Sequence, residues 1–316
     1  MAVVTRKDSS IVLFALKKFG RLILTVLLIS TIVFVVIRVI PGDPALVIAG
    51  IDSSQSDIDA IRTLLGTDKP ILTQYAQWLW DVLRFDFGDS MISGQPVMRL
   101  ILERFPLTLS LALLGILISI IIAIPLGVIS AVKRWSLWDY LGMGFSQIGM
   151  AIPSFWLGIL LLLLFSVKIK LFPLFGSGSF KHLILPAVSL GIARAAVLLR
   201  LTRASMAEEL SKEYVVAARS KGLTERMVNY KHALKNALLP VITIAGIQLG
   251  YMLGGAIIIE QVFSLPGLGR LFLFAIYQRD FPLIQGGVIF VALIFSLINF
   301  GVDMLYSLLN PRIRVS

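Results

Sequence analysis

Six stretches of the chain stay apolar for long enough to cross a bilayer as helices, each needing about 20 residues. They run from about Phe19 to Ile40, Leu107 to Ala131, Leu141 to Val167, Leu183 to Leu201, Leu238 to Ile259 and Leu283 to Leu308. Pro125, Pro153 and Pro186, within or beside them, predict kinks or helix starts, which bundles tolerate when neighbours satisfy the freed carbonyls. Strand-type alternation is absent, so a transmembrane barrel is not predicted. The first stretch has a basic lead (Arg6, Lys7, Lys17, Lys18, Arg21), but its apolar run is too long for a signal peptide and no small-x-small site follows. It reads as an uncleaved anchor ended by the turn Pro41-Gly42-Asp43-Pro44. The fold class is therefore an all-α integral membrane protein with six transmembrane helices.

Two polar segments interrupt this pattern. Residues 41–105 join the first two helices and contain amphipathic pieces, Ile58 to Leu65 and Ile71 to Leu83, that predict short helices on the membrane face. Trp78 and Trp80 are placed at headgroup level, where indole is favoured. The segment is either a plain interfacial link or a cap over a pathway mouth. The second, residues 203–235, reads as helix, break, helix: Ala204 to Ser220 holds good helix formers, Gly222 offers a C-cap, and Thr224 with Glu225 opens the next helix. This cationic hairpin suits either lipid headgroups or a partner protein.

Composition agrees and adds little: 57% of the 316 residues are hydrophobic and 15% charged, against about a quarter charged in soluble domains. The net charge of +11 is read as topology. With the amino terminus inside, the cytoplasmic pieces carry 17 Lys and Arg against ten outside, and residues 41–105 hold nine acids against five bases. That bias puts both termini in the cytoplasm. No basic stretch is interleaved with aromatics, so nucleic acid is not an expected partner. The chain has no cysteine, which excludes thiol catalysis and thiolate metal sites. It has no Gly-x-x-x-x-Gly-Lys-Ser/Thr loop, so it is not expected to be an enzyme that cradles ATP phosphates.

The hairpin is where a resemblance appears. Glu213-Tyr214-Val215-Val216-Ala217-Ala218-Arg219-Ser220-Lys221-Gly222, followed by Asn236-Ala237-Leu238-Leu239-Pro240, resembles the cytoplasmic coupling loop of bacterial ABC importer permeases. That motif reads Glu-Ala-Ala, three residues, Gly, and later Leu-Pro. Val216 stands where the general motif has Glu, and Leu-Pro comes later than usual; these departures look like the subfamily that imports dipeptides, oligopeptides, glutathione or nickel. Pro41-Gly42-Asp43-Pro44-Ala45, Leu65-Gly66-Thr67-Asp68-Lys69-Pro70, Asp86-Phe87-Gly88-Asp89-Ser90, Glu260 to Arg270, Arg279-Asp280-Phe281-Pro282 and Asn310-Pro311-Arg312-Ile313-Arg314 are similar to other signatures of that subfamily.

The resemblance implies a type I importer permease fold. Residues 1–40 would be a cytoplasmic start and first helix, 41–105 an extracytoplasmic segment, 97–307 the five-helix permease domain with its coupling hairpin, and 308–316 a cytoplasmic tail. It implies a bacterial inner-membrane location and a heterodimer with a second homologous permease. Two cytoplasmic ATPases, which bind ATP and Mg, and an extracytoplasmic substrate-binding protein complete the expected partners; no cofactor is expected in this chain. Carried onto this sequence, coupling falls to Glu213, Ala217, Ala218, Arg219 and Gly222. The small side chains would permit close approach, and Gly222 would allow the helix break. The expected cargo is di- or oligopeptides, with glutathione or nickel as alternatives.

Other residues are weighed singly. Arg194 lies inside the fourth helix, where a guanidinium costs roughly 2.5–3.5 kcal/mol, so it should face the bundle or a wet cavity. It either lines the pathway or pairs with another span. Glu260 either holds a gate or caps a turn. Arg200 and Arg203 are expected to snorkel. Asn299 and Asp303 share one helical face and could meet cations of neighbouring spans. Gly246, Gly250 and Gly254, spaced by four, predict close helix packing. His182 and His232 fall on opposite membrane sides, so no metal site joins them. A secondary transporter remains the competing class, although no internal repeat links the halves.

Overall fold

The computed structural model describes residues 2–39, 45 and 54–309. The Pro41-Gly42-Asp43-Pro44 turn and the Asn310 to Arg314 motif lie outside them. In chain order the helices are α1 (Ala2–Val39), α2 (Gln55–Leu65), α3 (Ile71–Leu83), α4 (Val97–Val132), α5 (Leu137–Ala151) and α6 (Ser154–Lys168). They continue with α7 (Lys181–Leu210), α8 (Glu213–Ser220), α9 (Glu225–Val262), α10 (Leu268–Gln278) and α11 (Phe281–Leu309).

Five of these, α1, α4, α7, α9 and α11, are long and apolar enough to cross a membrane unaided. The stretch Leu141 to Val167, expected as one span, is instead two helices, α5 and α6, meeting at 99°. The cause is Pro153: its ring bars helical backbone at Ile152, which sits extended at φ −84°, ψ 122°. Pro106, Pro125, Pro186 and Pro240 stay inside continuous helices. α4 begins at Val97 rather than near Leu107, and its 36 residues reach about 54 Å, well beyond the apolar layer.

The core is built around α7. In its most apolar window 56% of residues are buried, against 17% in α1 and in α11. It achieves this with small residues, as expected where lipid gives no hydrophobic drive between helices. Gly191 lies so close to α4 that a Cβ there would sit 2.8 Å from Ile118. The Ser119 hydroxyl bridges the same contact, donating to the carbonyls of Gly191 (2.7 Å) and Gly115 (2.9 Å). α5 joins through Ser146, whose hydroxyl donates to the Ala196 carbonyl at 2.8 Å. Gly246 and Gly250 press on Val302 and Phe295 of α11, while Gly254 faces open space; only part of that repeat is a packing seam.

α1 lies at the periphery. Lys18 pairs with Asp303 of α11 at 2.6 Å, the cation partner expected for Asp303, and Phe19 meets Phe300 edge-on. At its other end α1 carries α3. Thr31 and Tyr75 share a hydrogen bond of 2.7 Å, the Arg38 guanidinium donates to Gln74, and Phe34 packs on Tyr75 and Trp78. Trp78 is thus a packing residue, whereas Trp80 is exposed beneath the Arg84 guanidinium.

Candidate functional site

The hairpin expected at 203–235 is divided by two breaks. α7 runs to Leu210 and α8 starts at Glu213, with Lys212 extended between them. The single helix expected over Ala204 to Ser220 is therefore two. Glu209 holds this first corner: Lys212 pairs with it at 2.5 Å and the Tyr214 hydroxyl donates to it at 2.6 Å. Asn236 of α9 donates its amide to the same Tyr214 oxygen at 3.2 Å. The second break is a left-handed C-cap. Gly222 has φ +75°, its N–H donates to the Arg219 carbonyl, and the Leu223 N–H reaches the Ala218 carbonyl. That is the Schellman pattern, which favours glycine because other side chains resist positive φ. Arg219 and Glu225 form an ion pair across the turn at 2.8 Å.

α8 has two unlike faces. Val215 and Ala218, three apart, are 0% and 7% exposed and sit in a cluster with Val128 and Ala131 of α4, Met206 of α7, and Val228, Ala233 and Ala237 of α9. Glu213, Val216, Ala217 and Arg219 point outward, and Gly222 is exposed at the tip. The five residues carried over from the resemblance therefore separate. Glu213, Ala217, Arg219 and Gly222 form an accessible surface, and Ala218 instead anchors the helix to its own bundle. Val215 is the anchor that sequence reading missed; the apolar i, i+3 pair was its signal. Burial, then the Glu209 hydrogen bond, raises the Tyr214 hydroxyl above its ordinary range.

The residues within the bundle resolve differently. Arg194, half-buried on α7, donates from Nη1 to Gln248 Oε1 of α9 at 3.1 Å, with Gly255 beside it. Its partner is a neutral amide, so the guanidinium keeps its charge uncompensated by a carboxylate. Arg203 does not snorkel. It forms a two-pronged pair with Asp139 of α5, Nε to Oδ1 at 2.5 Å and Nη2 to Oδ2 at 2.7 Å, and Asp139 also accepts the Trp135 N–H.

Glu260 is fully buried. Oε1 accepts the Thr108 hydroxyl of α4 at 2.5 Å, and Oε2 accepts the Arg270 N–H at 3.1 Å. Thr108 in turn accepts the Leu268 N–H at 2.9 Å. The carboxylate thus caps the N-terminus of α10, where backbone donors and the helix dipole favour negative charge. Gly267 leaves the room: a Cβ there would lie 2.2 Å from Glu260 Oε1. The motif Glu260 to Arg270 closes on itself, and Thr108 is the member that no local pattern could reveal.

Two further motifs meet at the opposite end from α8. Ser90 donates its hydroxyl to Asp280 Oδ2 at 2.5 Å, and the Met91 N–H donates to Oδ1 at 3.2 Å. Asp280 is buried and also accepts the Leu283 N–H at the start of α11. The Asp86 to Ser90 and Arg279 to Pro282 segments are one joint. His182 contacts Ser179 only locally, and among the described residues no group of three His, Asp or Glu side chains could hold a metal.

Comparison with known proteins fits this arrangement. Residues 123–315 match the family described as binding-protein-dependent transport system inner membrane component, and residues 11–112 match its N-terminal component. A protein assigned as a peptide transport system permease in Brucella abortus (strain 2308) is 41% identical over 307 residues, covering 95% of this chain and 98% of the relative. The glutathione transport system permease protein GsiC of Salmonella paratyphi A (strain ATCC 9150 / SARB42) is 42% identical over 303 residues, covering 95% and 98%. An inward-facing structure of the MetNI methionine ABC transporter superposes with a TM-score of 0.59 at 20% identity, over 67% of this chain and 97% of that one. It shares the fold.

Proposed function

The chain belongs to the family of binding-protein-dependent transport system inner membrane components, making it the permease of an ABC importer, and from that premise we propose that it forms half of an ATP-driven pathway for di- or oligopeptides. ATP and Mg would be bound by two partner ATPases, and a second, homologous permease would complete the pathway. An extracytoplasmic binding protein would deliver the cargo. Both termini and α8 would lie in the cytoplasm, in keeping with the excess of Lys and Arg on that side.

The observation that carries this reading is α8. It is a short helix fastened by Val215 and Ala218 to α4, α7 and α9 at once, with Glu213, Ala217, Arg219 and Gly222 left accessible on its other side. A partner that displaces the accessible side moves the shared cluster, and with it three membrane helices. Arg194 would offer a positive charge to a peptide carboxylate from within the bundle. Glu260, as a cap, would fix the α9–α10 corner beside the pathway.

Peptide cargo follows the Brucella relative; the similarly close Salmonella relative favours glutathione, itself a peptide with carboxylates, as a second reading. The test is to tag the chain in its host, extract it in mild detergent, and identify what co-purifies. Uptake of labelled dipeptide and of labelled glutathione is then compared in cells with and without the gene. A second permease and ATPases in the complex, with uptake lost on deletion, supports the proposal. A chain that purifies alone from a preparation preserving other membrane complexes refutes it.

A further inference from the structure

Beside the α8 cluster, a separate cavity of about 200 Å³ opens between the end of α4, the start of α5 and the wide-turned start of α9. Its volume equals that of roughly six liquid waters. Val128, Ile129 and Val132 give it apolar walls; Lys133, Trp138, Asn229 and Tyr230 give it a polar end. Three observations at this end call for an occupant. Asn229 is 5% exposed, yet its side-chain carbonyl has no hydrogen-bond partner, an arrangement costing about 1–3 kcal/mol when nothing fills it. Lys133 stands over the Trp138 ring at 5.7 Å, and Arg134 over Trp135 at 5.2 Å, and among the described residues neither cation pairs with a carboxylate. Asp139, the acid at this end of α5, is already engaged by Arg203.

Cations without acids, exposed indoles and an apolar wall at the end of a membrane helix describe the boundary between headgroups and acyl chains. The unfilled acceptor adds a requirement, since a phosphate has no donor to give it. We propose that this cavity binds an anionic phospholipid whose headgroup also carries hydroxyl donors, phosphatidylglycerol being the simplest, in the leaflet beside α8. The phosphate would lie between Lys133 and Arg134, a headgroup hydroxyl would donate to Asn229 Oδ1, and an acyl chain would follow Val128, Ile129 and Val132. The inference does not depend on the cargo or on ATP coupling.

The test uses the full chain in its purified complex, with lipid retention read by native mass spectrometry from nanodiscs. The lipids are dioleoyl phosphatidylglycerol, phosphatidate and phosphatidylcholine. Wild type should retain phosphatidylglycerol over phosphatidate, and phosphatidate over phosphatidylcholine. Lys133→Gln and Arg134→Gln should each weaken retention of both anionic lipids about fivefold. Asn229→Leu, which changes no charge, should weaken phosphatidylglycerol about fivefold while leaving phosphatidate unchanged. Lys181→Gln, at the far end of α7, should change nothing. Equal retention of all three lipids by wild type, or unchanged retention in Lys133→Gln, overturns the site. So does an Asn229→Leu variant that loses both anionic lipids equally. Matching binding of soluble glycerophosphoglycerol would overturn the assignment to a lipid. Lys133 is exposed, so its variant decides the matter even if Asn229→Leu fails to assemble.

Discussion

Replacing Gly222 isolates backbone conformation from packing. Its φ is +75°, and a Cβ placed on it would meet nothing within 4 Å. No clash contributes, so the whole cost of a side chain comes from the left-handed backbone. That cost is roughly 1–2 kcal/mol for an ordinary L-residue, smaller for Asn, which tolerates this region, and largest for a β-branched residue. The expected order of stability is therefore glycine, then Gly222→Asn, Gly222→Ala and Gly222→Val. At about 1.4 kcal/mol per decade in population, Gly222→Val should favour an opened cap over the closed one by on the order of tenfold relative to glycine. The bonds that open are Gly222 to Arg219 and Leu223 to Ala218, so the change is local. Hydrogen exchange at residues 219–225 of the purified complex measures it directly, and substrate uptake measures its consequence. Exchange should rise from Asn to Val, with uptake falling in parallel and membrane levels unchanged. A Gly222→Asn variant as damaged as Gly222→Val would show that crowding, not backbone angle, governs the site. Wild-type uptake by Gly222→Val would remove the cap from the coupling mechanism.

Other outcomes follow from the same geometry. Val215→Ala should destabilise the complex by about 1–2 kcal/mol, read as thermal unfolding. Val216→Ala, on the accessible face at 55% exposure, should leave unfolding unchanged and weaken ATPase co-purification. Asp139→Ala strands Arg203 in a largely buried site and should cost about 3 kcal/mol; the Asp139→Ala, Arg203→Met double variant should recover most of it, and no recovery would deny that the pair is coupled. Asp280→Ala removes the acceptor of Ser90, Met91 and Leu283, and limited proteolysis should then cut near residues 88–95 much faster than in wild type. Thr108→Val should expose the α10 N-terminus to hydrogen exchange without altering expression, because it removes both the donor to Glu260 and the acceptor for Leu268.

Much of this was legible from the chain. Long apolar runs gave the membrane helices because hydrocarbon accepts no unsatisfied backbone. Gly222 and Glu225 marked the hairpin turn because caps are local chemistry. The misses share a cause. Thr108 and Glu260 are 152 residues apart, Ser90 and Asp280 are 190 apart, and Asp139 and Arg203 are 64 apart; no periodicity links such partners. Ala218 shows the complementary error. Its place in a motif suggested contact with a partner, while the i, i+3 relation to Val215, a purely geometric cue, pointed it inward. Pro153 was noticed, but whether a proline kinks a helix or ends it depends on what packs around it, as continuous Pro125 and Pro186 show.

The 99° elbow at Pro153 has a consequence for biogenesis. α5 has 15 residues and reaches about 22 Å, short of the ~30 Å hydrocarbon layer. α6 is no longer, so neither arm is a complete insertion signal. Backbone that leaves the helix at membrane depth is tolerated only against protein or water, yet Met150, Phe155 and Trp156 around the elbow are exposed on the isolated chain. A newly made subunit therefore carries an unfinished stretch that its own helices do not shield, giving membrane quality control a means of telling orphan copies from assembled ones.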